Sequence, residues 1–316
     1  AGGMALAALG ADTGGSIRQP AAFTGVVGLK ATYGAVSRSG LIAMASSLDQ
    51  IGPLAKSVED AEIIFNVIKG KDELDATTVE IPMTKKQSPK IIGIPKEYFS
   101  LKEMGKAGLD EDITKKFQEA IDFLKEKGFE IKEVSLPSVE YALAAYYIVM
   151  PAEVSSNLAR FDGIRYGKRE EGKDLFEVYT KTREKGFGLE VRRRIILGTY
   201  VLSAGYYDAY YSRAQKVRHM IRKDFETEFK NVDLLLTPTT PHPAFKIGEK
   251  TDDPLSMYLE DIYTVPINLA GVPAISVPFG TVEKEGKNLP VGVQLIAPWF
   301  EESRLFETGK ILEKLN

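Results

Sequence analysis

The sequence contains no cysteine, which excludes disulfides, zinc–thiolate sites, iron–sulfur clusters and cysteine nucleophiles. It has only two histidines, His219 and His242, so we expect no multi-histidine metal site and few candidates for a histidine base. No apolar run approaches the ~20 residues that span a bilayer. The net charge of −3 gives no basic field that would indicate nucleic acid or an anionic membrane as partner. A cytoplasmic location fits these absences.

Helical and β-type patterns alternate along the 316 residues, which predicts the α/β class. Apolar residues at three-to-four spacing between Leu189 and Phe229 predict one long helix. Pro151 is expected to break or kink the helix predicted over 138–161. MALAAL, residues 4–9, is typical of a buried strand or a helix end, and residues 70–89 form a polar connector. Further helices are expected over 56–70, 109–128 and 302–315, and strands over 26–34, 90–95, 129–137, 232–241, 274–280 and 290–298.

The stretch GADTGGSIRQP, residues 10–20, places Ser16 directly after two glycines. A serine nucleophile needs a base and N–H donors for the oxyanion, and a tight glycine turn exposes a hydroxyl among converging N–H groups. Taken alone, however, GGS is more typical of a plain turn. A nucleophile elbow requires glycine where Arg18 stands, and a phosphate-binding loop requires a lysine, yet no lysine precedes Ser16.

Other polar residues leave their roles open. His219 lies among basic residues of a predicted helix, which favours a solvated or packed position, whereas His242 lies between two prolines in a loop that could line a cleft. Tyrosines at helical spacing are typical of helix packing. The run Arg192–Arg194 is either a solvated face or an arginine fork for a substrate carboxylate. The acidic residues within 251–261 are typical of a helix start with surface charges.

Longer stretches carry a resemblance that no single motif does. Residues 10–41, together with ASSLDQIGPLAKSVEDA (45–61) and NLAGVPAISVPFG (268–280), resemble the amidase signature family. Residues 144–167, 186–211 and 252–271 are similar to one branch of it, the A subunits of aspartyl/glutamyl-tRNA amidotransferases. The resemblance covers essentially the whole chain.

The resemblance implies an α/β fold, a mixed central sheet surrounded by helices. It also implies a single amidase domain over residues 1–316, corresponding to the C-terminal two-thirds of the family's fold and missing its N-terminal part. Catalysis in this family uses a Ser–cis-Ser–Lys triad. By motif position the nucleophile is Ser16, and the N–H groups of Thr13, Gly14, Gly15 and Ser16 form the oxyanion hole. The lysine must be neutral, so burial must depress its pKa.

The same resemblance implies a glutamine substrate, or in some members asparagine. By motif position Arg194 holds the substrate carboxylate, with Arg193 as a one-residue alternative, Asp261 holds the amino group and Tyr147 is a further contact. The A subunit itself carries no cofactor or metal. Its ammonia passes to a B subunit, which uses ATP and Mg²⁺ to activate the misacylated tRNA, while a small C subunit ties the two together.

Two departures from the family pattern shape the hypotheses. The triad lysine and cis-serine precede the nucleophile in the family, in a segment that we expect this chain to lack, and every other lysine, Lys30 included, is expected to be structural. Ala11 replaces a usual serine or threonine. We therefore expect the fragment alone to be inactive, within a parent enzyme that makes glutaminyl-tRNA or asparaginyl-tRNA. The alternatives are a stand-alone amidase and a non-catalytic piece that retains only a partner-binding surface.

Overall fold

The structure is a computed structural model that describes residues 1–81, 88–100 and 108–314, so part of the connector expected over 70–89 lies outside the described residues. Its strands are β1 (Ala7–Asp12), β2 (Val27–Lys30), β3 (Gln50–Ala55), β4 (Ile91–Pro95), β5 (Glu130–Val134), β6 (Leu234–Pro238), β7 (Ala274–Lys284) and β8 (Lys287–Ile296). Its α-helices are α1 (Arg18–Thr24), α2 (Val58–Ile68), α3 (Glu97–Ser100), α4 (Glu111–Glu126), α5 (Ala142–Asn157), α6 (Leu175–Gly186), α7 (Leu189–Leu202), α8 (Ser212–Glu228), α9 (Pro254–Leu259), α10 (Val265–Ala270) and α11 (Glu302–Glu313). Short 3-10 turns cover Pro137–Tyr141 and Leu158–Arg160, and a π-helical turn covers Tyr207–Tyr211.

The strands of the described chain form one mixed sheet in the order β1-β3-β2-β7-β8-β6-β4-β5. Neighbours from β1 to β6 in this order are antiparallel, whereas β6, β4 and β5 run parallel. This arrangement confirms the predicted α/β class and mixed sheet. Strand β6, LLLTP, lies between β8 and β4 inside the sheet and is buried at every position.

Helices α2, α4 and α11 contribute buried side chains to the main core, among them Phe65, Phe117 and Leu312. Their ends follow the sequence: Ser57 caps α2 by accepting from the Asp60 N–H, and Asp110 caps α4. The hairpin between β7 and β8 turns through Glu285 and Gly286, whose φ values of 51° and 73° suit a tight turn.

Internal contacts divide the described chain into two compact units. The first comprises residues 1–40, 48–143 and 218–316, and the second comprises residues 41–47 and 144–217. The first unit carries the sheet, and the second is helical. The expectation of one amidase domain over residues 1–316 stays a prediction. None of the helices in the described part of the chain is both long and apolar enough to cross a membrane.

Two expectations from the sequence were wrong, and of the break or kink expected at Pro151 the break is absent. The helix expected from 189 to 229 is two helices, because the chain leaves α7 at Ser203 and passes through Gly205 at φ 85° before the π-helical turn. Helix α5 continues through Pro151 instead of breaking there. Within 4–9, Met4 and Leu6 are almost fully exposed, because they precede β1, which is the terminal strand of the sheet.

Candidate functional site

Ser16 lies at the exposed tip of the loop between β1 and α1, whereas its neighbours on both sides are buried. The buried Asp12 at the end of β1 holds this loop, because its carboxylate accepts from the Gly15 N–H at 2.9 Å and from the Ile17 N–H at 3.2 Å. Among the described residues, no hydrogen-bond partner of the Ser16 hydroxyl is found. The loop therefore presents a hydroxyl on a fixed backbone.

Gly15 is the residue on which the loop's shape depends most. Its φ of 134° disfavours any residue with a side chain, and a Cβ there would lie 2.4 Å from the Thr264 Oγ1. Thr264 Oγ1 in turn donates to the Gly14 carbonyl at 2.6 Å. The Gly15 N–H, predicted as an oxyanion donor, donates to Asp12 in this structure, so an oxyanion would have to share that donor.

A buried ion pair fixes the loop to the rest of the first unit. Arg18, fully buried, donates through Nε and Nη2 to the two oxygens of Asp12 at 3.0 and 2.9 Å. Burial alone would raise the pKa of Asp12, but the charge and hydrogen bonds of Arg18, a hydrogen bond from Asn268 and the charge of Lys30 outweigh it and lower that pKa to about 2. The remaining guanidinium bonds reach Gln294 Oε1 at 2.7 Å, Asn268 Oδ1 at 2.5 Å and the Thr264 carbonyl at 3.2 Å. The pair thus joins the loop to α10 and β8.

Sequence reasoning missed this ion pair, although the sequence contains a signal. Asp12 and Arg18 are opposite charges that flank the glycine turn six residues apart, within a segment otherwise rich in small and apolar residues. Charged residues in such a segment are rarely buried unless they are paired.

The structure brings Asp261, the residue predicted to hold a substrate amino group, to the Ser16 loop. Gln19 connects them: its Nε2 donates to Asp261 Oδ1 at 2.6 Å, and its backbone N–H donates to the Gly15 carbonyl at 2.8 Å. Asp261 follows α9, in the turn that leads into α10. Its main-chain carbonyl accepts from the Thr264 N–H at 3.0 Å.

The other predicted substrate contacts, Tyr147 and Arg194, lie in the second unit. Arg194 of α7 donates to Glu190 Oε1 at 2.9 Å, and its Nη1 lies 3.8 Å from the Met150 sulfur. Burial opposes its charge, but the hydrogen bond to Glu190 and the charges of Tyr146, Glu190 and Tyr147 raise the pKa of Arg194. The ring of Tyr147 packs edge-on against that of Tyr146 at 5.1 Å between centroids.

Arg193, the alternative for the arginine, also bonds to Glu190. Its side chain is 40% exposed, against 24% for Arg194. Glu190 orients both guanidinium groups, so the lower exposure of Arg194 is the difference that favours it over Arg193.

Both histidines are also placed by the structure. His219 is an exposed residue of α8, and His242 lies in the loop after β6. The Nδ1 of His242 is 2.8 Å from Glu260 Oε1, an oxygen that Lys250 also contacts. Neither histidine is hydrogen-bonded to Ser16.

Lys30 has a depressed pKa, but its amine is not positioned to act as a catalytic base. Burial, together with the charge of Arg18, lowers its pKa to about 7, against the opposing charges of Asp12 and Glu302. Its Nζ donates to the Ala31 carbonyl at 2.9 Å, and the residue is 1% exposed. A lysine that is enclosed in the protein and bonded to backbone fits the structural role expected for it. The described residues also contain no group of three or more His, Asp or Glu side chains arranged to hold a metal ion.

The comparisons with known proteins agree in naming one family. The family model described as Amidase matches residues 1–306. The A subunit of glutamyl-tRNA(Gln) amidotransferase from Thermodesulfovibrio yellowstonii is 55% identical over 316 residues, which cover 98% of this chain and 63% of that protein. The protein of the same name from Clostridium botulinum strain Okra is 56% identical over 322 residues, 99% of this chain and 64% of that protein.

Solved structures are similar over the same part of the fold. The crystal structure of the glutamyl-tRNA(Gln) amidotransferase A subunit from Thermotoga maritima has a TM-score of 0.77 at 43% identity, covering 99% of this chain and 63% of that one. A crystal structure described as an amidase has a TM-score of 0.74 at 28% identity, covering 98% and 62%. The chain thus spans about 63% of the length of the curated relatives that it matches.

Proposed function

Because this chain belongs to the amidase family, we propose that it supplies the nucleophile and most of the glutamine pocket of an A subunit in a tRNA-dependent amidotransferase. One observation carries the proposal: Ser16 is exposed at the tip of a loop. The backbone of this loop is held by hydrogen bonds to Asp12, which is paired with Arg18. The sequence similarity to glutamyl-tRNA(Gln) amidotransferase A subunits, at 55–56% identity, supports the choice of substrate.

The proposed reaction releases ammonia from the side-chain amide of glutamine. Ser16 Oγ attacks the amide carbonyl carbon, and the oxyanion that forms is held by N–H groups of Thr13, Gly14, Gly15 and Ser16. The C–N bond then breaks, ammonia leaves with the proton taken from Ser16, and water hydrolyses the glutamyl ester. The proton passes through a cis-serine to a neutral lysine, residues that precede the nucleophile in the family. Residues 1–15 of this chain contain no lysine.

The charged ends of glutamine match the remaining residues of the proposed pocket. Arg194 offers a guanidinium fork to the α-carboxylate, and Asp261 offers a carboxylate to the α-ammonium. Tyr147 is assigned as a further contact. A fork already oriented by Glu190 loses little conformational entropy when it binds a carboxylate.

The partners belong to the same proposal. The ammonia is transferred to a B subunit, which uses ATP and Mg²⁺ and binds Glu-tRNA(Gln), and a C subunit completes a heterotrimer in the cytoplasm. The product is Gln-tRNA(Gln), or Asn-tRNA(Asn) from Asp-tRNA(Asn). The A subunit needs no cofactor for its own step. The 316 residues alone are expected to bind partners without hydrolysing glutamine, since they hold the nucleophile without the family's lysine.

The test compares amides in the complete protein that carries this chain. Ammonia release is measured with glutamine, asparagine, an aliphatic amide and an aryl amide, and co-purifying subunits are identified by mass spectrometry. A preference for glutamine with two co-purifying subunits supports the proposal. A preference for aryl or aliphatic amides without partners supports a stand-alone amidase, the alternative that the similarity to a structure described as an amidase favours. Turnover by the 316 residues alone would contradict their expected inactivity.

A further inference from the structure

The Gln19 side chain lies between the Ser16 loop and Asp261, and neither the sequence patterns nor the resemblance assigned it a role. Gln19 is in the first turn of α1, three residues after Ser16. Its Nε2 is 2.6 Å from Asp261 Oδ1, 3.1 Å from Thr264 Oγ1 and 3.3 Å from the Glu260 carbonyl. One amide group therefore joins the helix that follows the nucleophile to the turn that carries Asp261.

The neighbours of this amide fix which way it points. The Asp261 carboxylate and the Glu260 carbonyl only accept hydrogen bonds. The Thr264 hydroxyl donates its hydrogen to the Gly14 carbonyl at 2.6 Å, so towards Gln19 it acts as an acceptor, like the other two groups. Three acceptors on one side require the NH₂ group there, which confirms the orientation of the amide.

We propose that Gln19 is a positioning residue that sets the substrate specificity of Asp261 for an α-ammonium group; this inference rests on the proposed function. The bond at 2.6 Å holds the Asp261 Oδ1 oxygen at a defined position beside the Ser16 loop. Because the donor is neutral, it orients the carboxylate and leaves its negative charge intact. A lysine or arginine in the same place would neutralise the charge that the substrate ammonium has to meet.

The geometry also couples recognition to attack. The Gln19 backbone N–H binds the Gly15 carbonyl at 2.8 Å, so the residue that holds Asp261 is itself anchored to the loop that presents Ser16. The distance between Asp261, which would contact the substrate amine, and the Ser16 nucleophile is then set by residues within one helical turn. A substrate bound through its ammonium is held at a defined position relative to the Ser16 hydroxyl.

A substrate that lacks the α-amino group separates this role from simple support of the loop. The complete protein, with its co-purifying subunits, is assayed with glutamine and with 4-carbamoylbutanoate, which is glutamine without that amino group. In Gln19→Leu we expect kcat/KM for glutamine to fall roughly 10–100-fold, mainly through KM, because a charge-assisted contact is lost. For 4-carbamoylbutanoate we expect kcat/KM to stay within about threefold of wild type.

The isosteric variant Gln19→Glu adds a pH signature. Its carboxylate faces that of Asp261, and two carboxylates at this distance do not both stay ionised. The preference for glutamine over 4-carbamoylbutanoate should therefore be lost at a lower pH in Gln19→Glu than in wild type, where it is lost only as the substrate ammonium gives up its proton, and it should recover as the pH falls and the pair takes up a proton. The control is Gln118→Leu on α4, which removes a similar glutamine–aspartate bond, to Asp122 at 3.1 Å, from an exposed helix face. It should leave both substrates unaffected.

The outcomes of these assays separate the proposed role of Gln19 from loop support alone and from failure of the proposed function. If Gln19→Leu loses activity on both amides by the same factor, Gln19 only supports the loop and the inference is wrong. It is equally wrong if the variant keeps the wild-type preference for glutamine. If the wild-type protein releases no ammonia from glutamine, the proposed function fails, and the inference that rests on it fails too.

Discussion

Asp12 and Arg18 hold the geometry around Ser16 through a buried ion pair. Both are fully buried, and the two hydrogen bonds between their side chains are joined by further bonds from the loop N–H groups and from Asn268. A buried pair adds little net stability compared with apolar residues, but removing one partner leaves an uncompensated charge in the interior. The pair is therefore best understood as a device that fixes one loop conformation.

Asp12→Ala should destabilise the chain by about 3–5 kcal/mol, because Arg18 would stay buried without its counter-ion. Urea denaturation followed by circular dichroism measures the effect. The control is Asp122→Ala, which removes an exposed aspartate and should change stability by less than about 0.5 kcal/mol. Equal losses in the two variants would show that the buried pair is not a structural requirement.

The depressed pKa of Lys30 gives the stability of the chain a defined pH dependence. The folded state holds Lys30 at a pKa of about 7, whereas an unfolded lysine keeps the ordinary value of 10.5. Between these pH values the unfolded chain binds the extra proton, so this residue makes stability rise with pH. Wild type should therefore gain about 4 kcal/mol of stability relative to Lys30→Met as the pH rises from 7 to 10, because the cost of the neutral folded lysine disappears where the unfolded lysine is neutral too. A difference that is constant over this range would show that Lys30 stays charged in the folded protein.

At the scale of single residues, the sequence predicted the Ser16 loop but not the buried side chains that hold it in place. Ser16 and its glycines are recognisable because a family motif is local in sequence. The bonds of Arg18 to Gln294 and Asn268, by contrast, join residues more than 240 positions apart and appear only once the sheet is assembled. Gln19 escaped notice for the same reason, since its acceptors are 241–245 residues away.

Among the elements, the turn from β1 to α1 shows how space limits the sequence at Gly15. Gly15 and Gly70 have nearly the same φ, 134° and 133°, but a Cβ at Gly15 meets Thr264, whereas one at Gly70 meets nothing within 4 Å. The two positions therefore separate backbone strain from crowding.

Gly70→Ala should cost about 1–3 kcal/mol from backbone strain alone. Gly15→Ala should cost more, and in the complete protein it should reduce glutamine hydrolysis at least about 100-fold, because Thr264 and the loop must move apart. Thermal denaturation of both variants and an ammonia assay measure these effects. Equal stability losses, with activity retained in Gly15→Ala, would contradict the close packing of this turn.

Elements with local signals were predicted well, and those decided by tertiary packing were not. Helices α2 and α4 lie within their predicted ranges because caps and periodicity are encoded locally. Pro151 was expected to break or kink the helix, but α5 continues through it, and its carbonyl lies directly against Gly198 of α7, where an added Cβ would be 1.8 Å away. This close helix–helix packing keeps the chain helical around a proline that propensity alone would place at a break.

On the scale of the whole sheet, the two edges differ in how they are protected. Strand β5 ends one side with the sequence EIKEV, whose charges discourage pairing with another strand. Strand β1 ends the other side with AALGAD, where Leu9 is 57% exposed. A cavity of about 570 Å³ lined by residues 3–7 and the neighbouring face of α2 continues this apolar edge.

Any self-association of the 316-residue chain through β1 should be roughly tenfold weaker in Leu9→Lys, since the variant puts a charge where Leu9 is 57% exposed. The reciprocal variant Lys132→Leu, on β5, should strengthen association. Sedimentation velocity over a concentration series measures both. Association that is the same in wild type and both variants would show that neither strand edge mediates contacts between chains.

The central claim is that Ser16 is the nucleophile of a glutamine-hydrolysing enzyme. The direct measurement is ammonia release from glutamine by the complete protein carrying Ser16→Ala, beside wild type and the exposed control Ser303→Ala. We expect Ser16→Ala to lose at least about 1,000-fold in kcat while retaining the wild-type denaturation midpoint. Ser303→Ala should stay at the wild-type rate. Hydrolysis of glutamine by Ser16→Ala at the wild-type rate would contradict the role of Ser16 as the nucleophile.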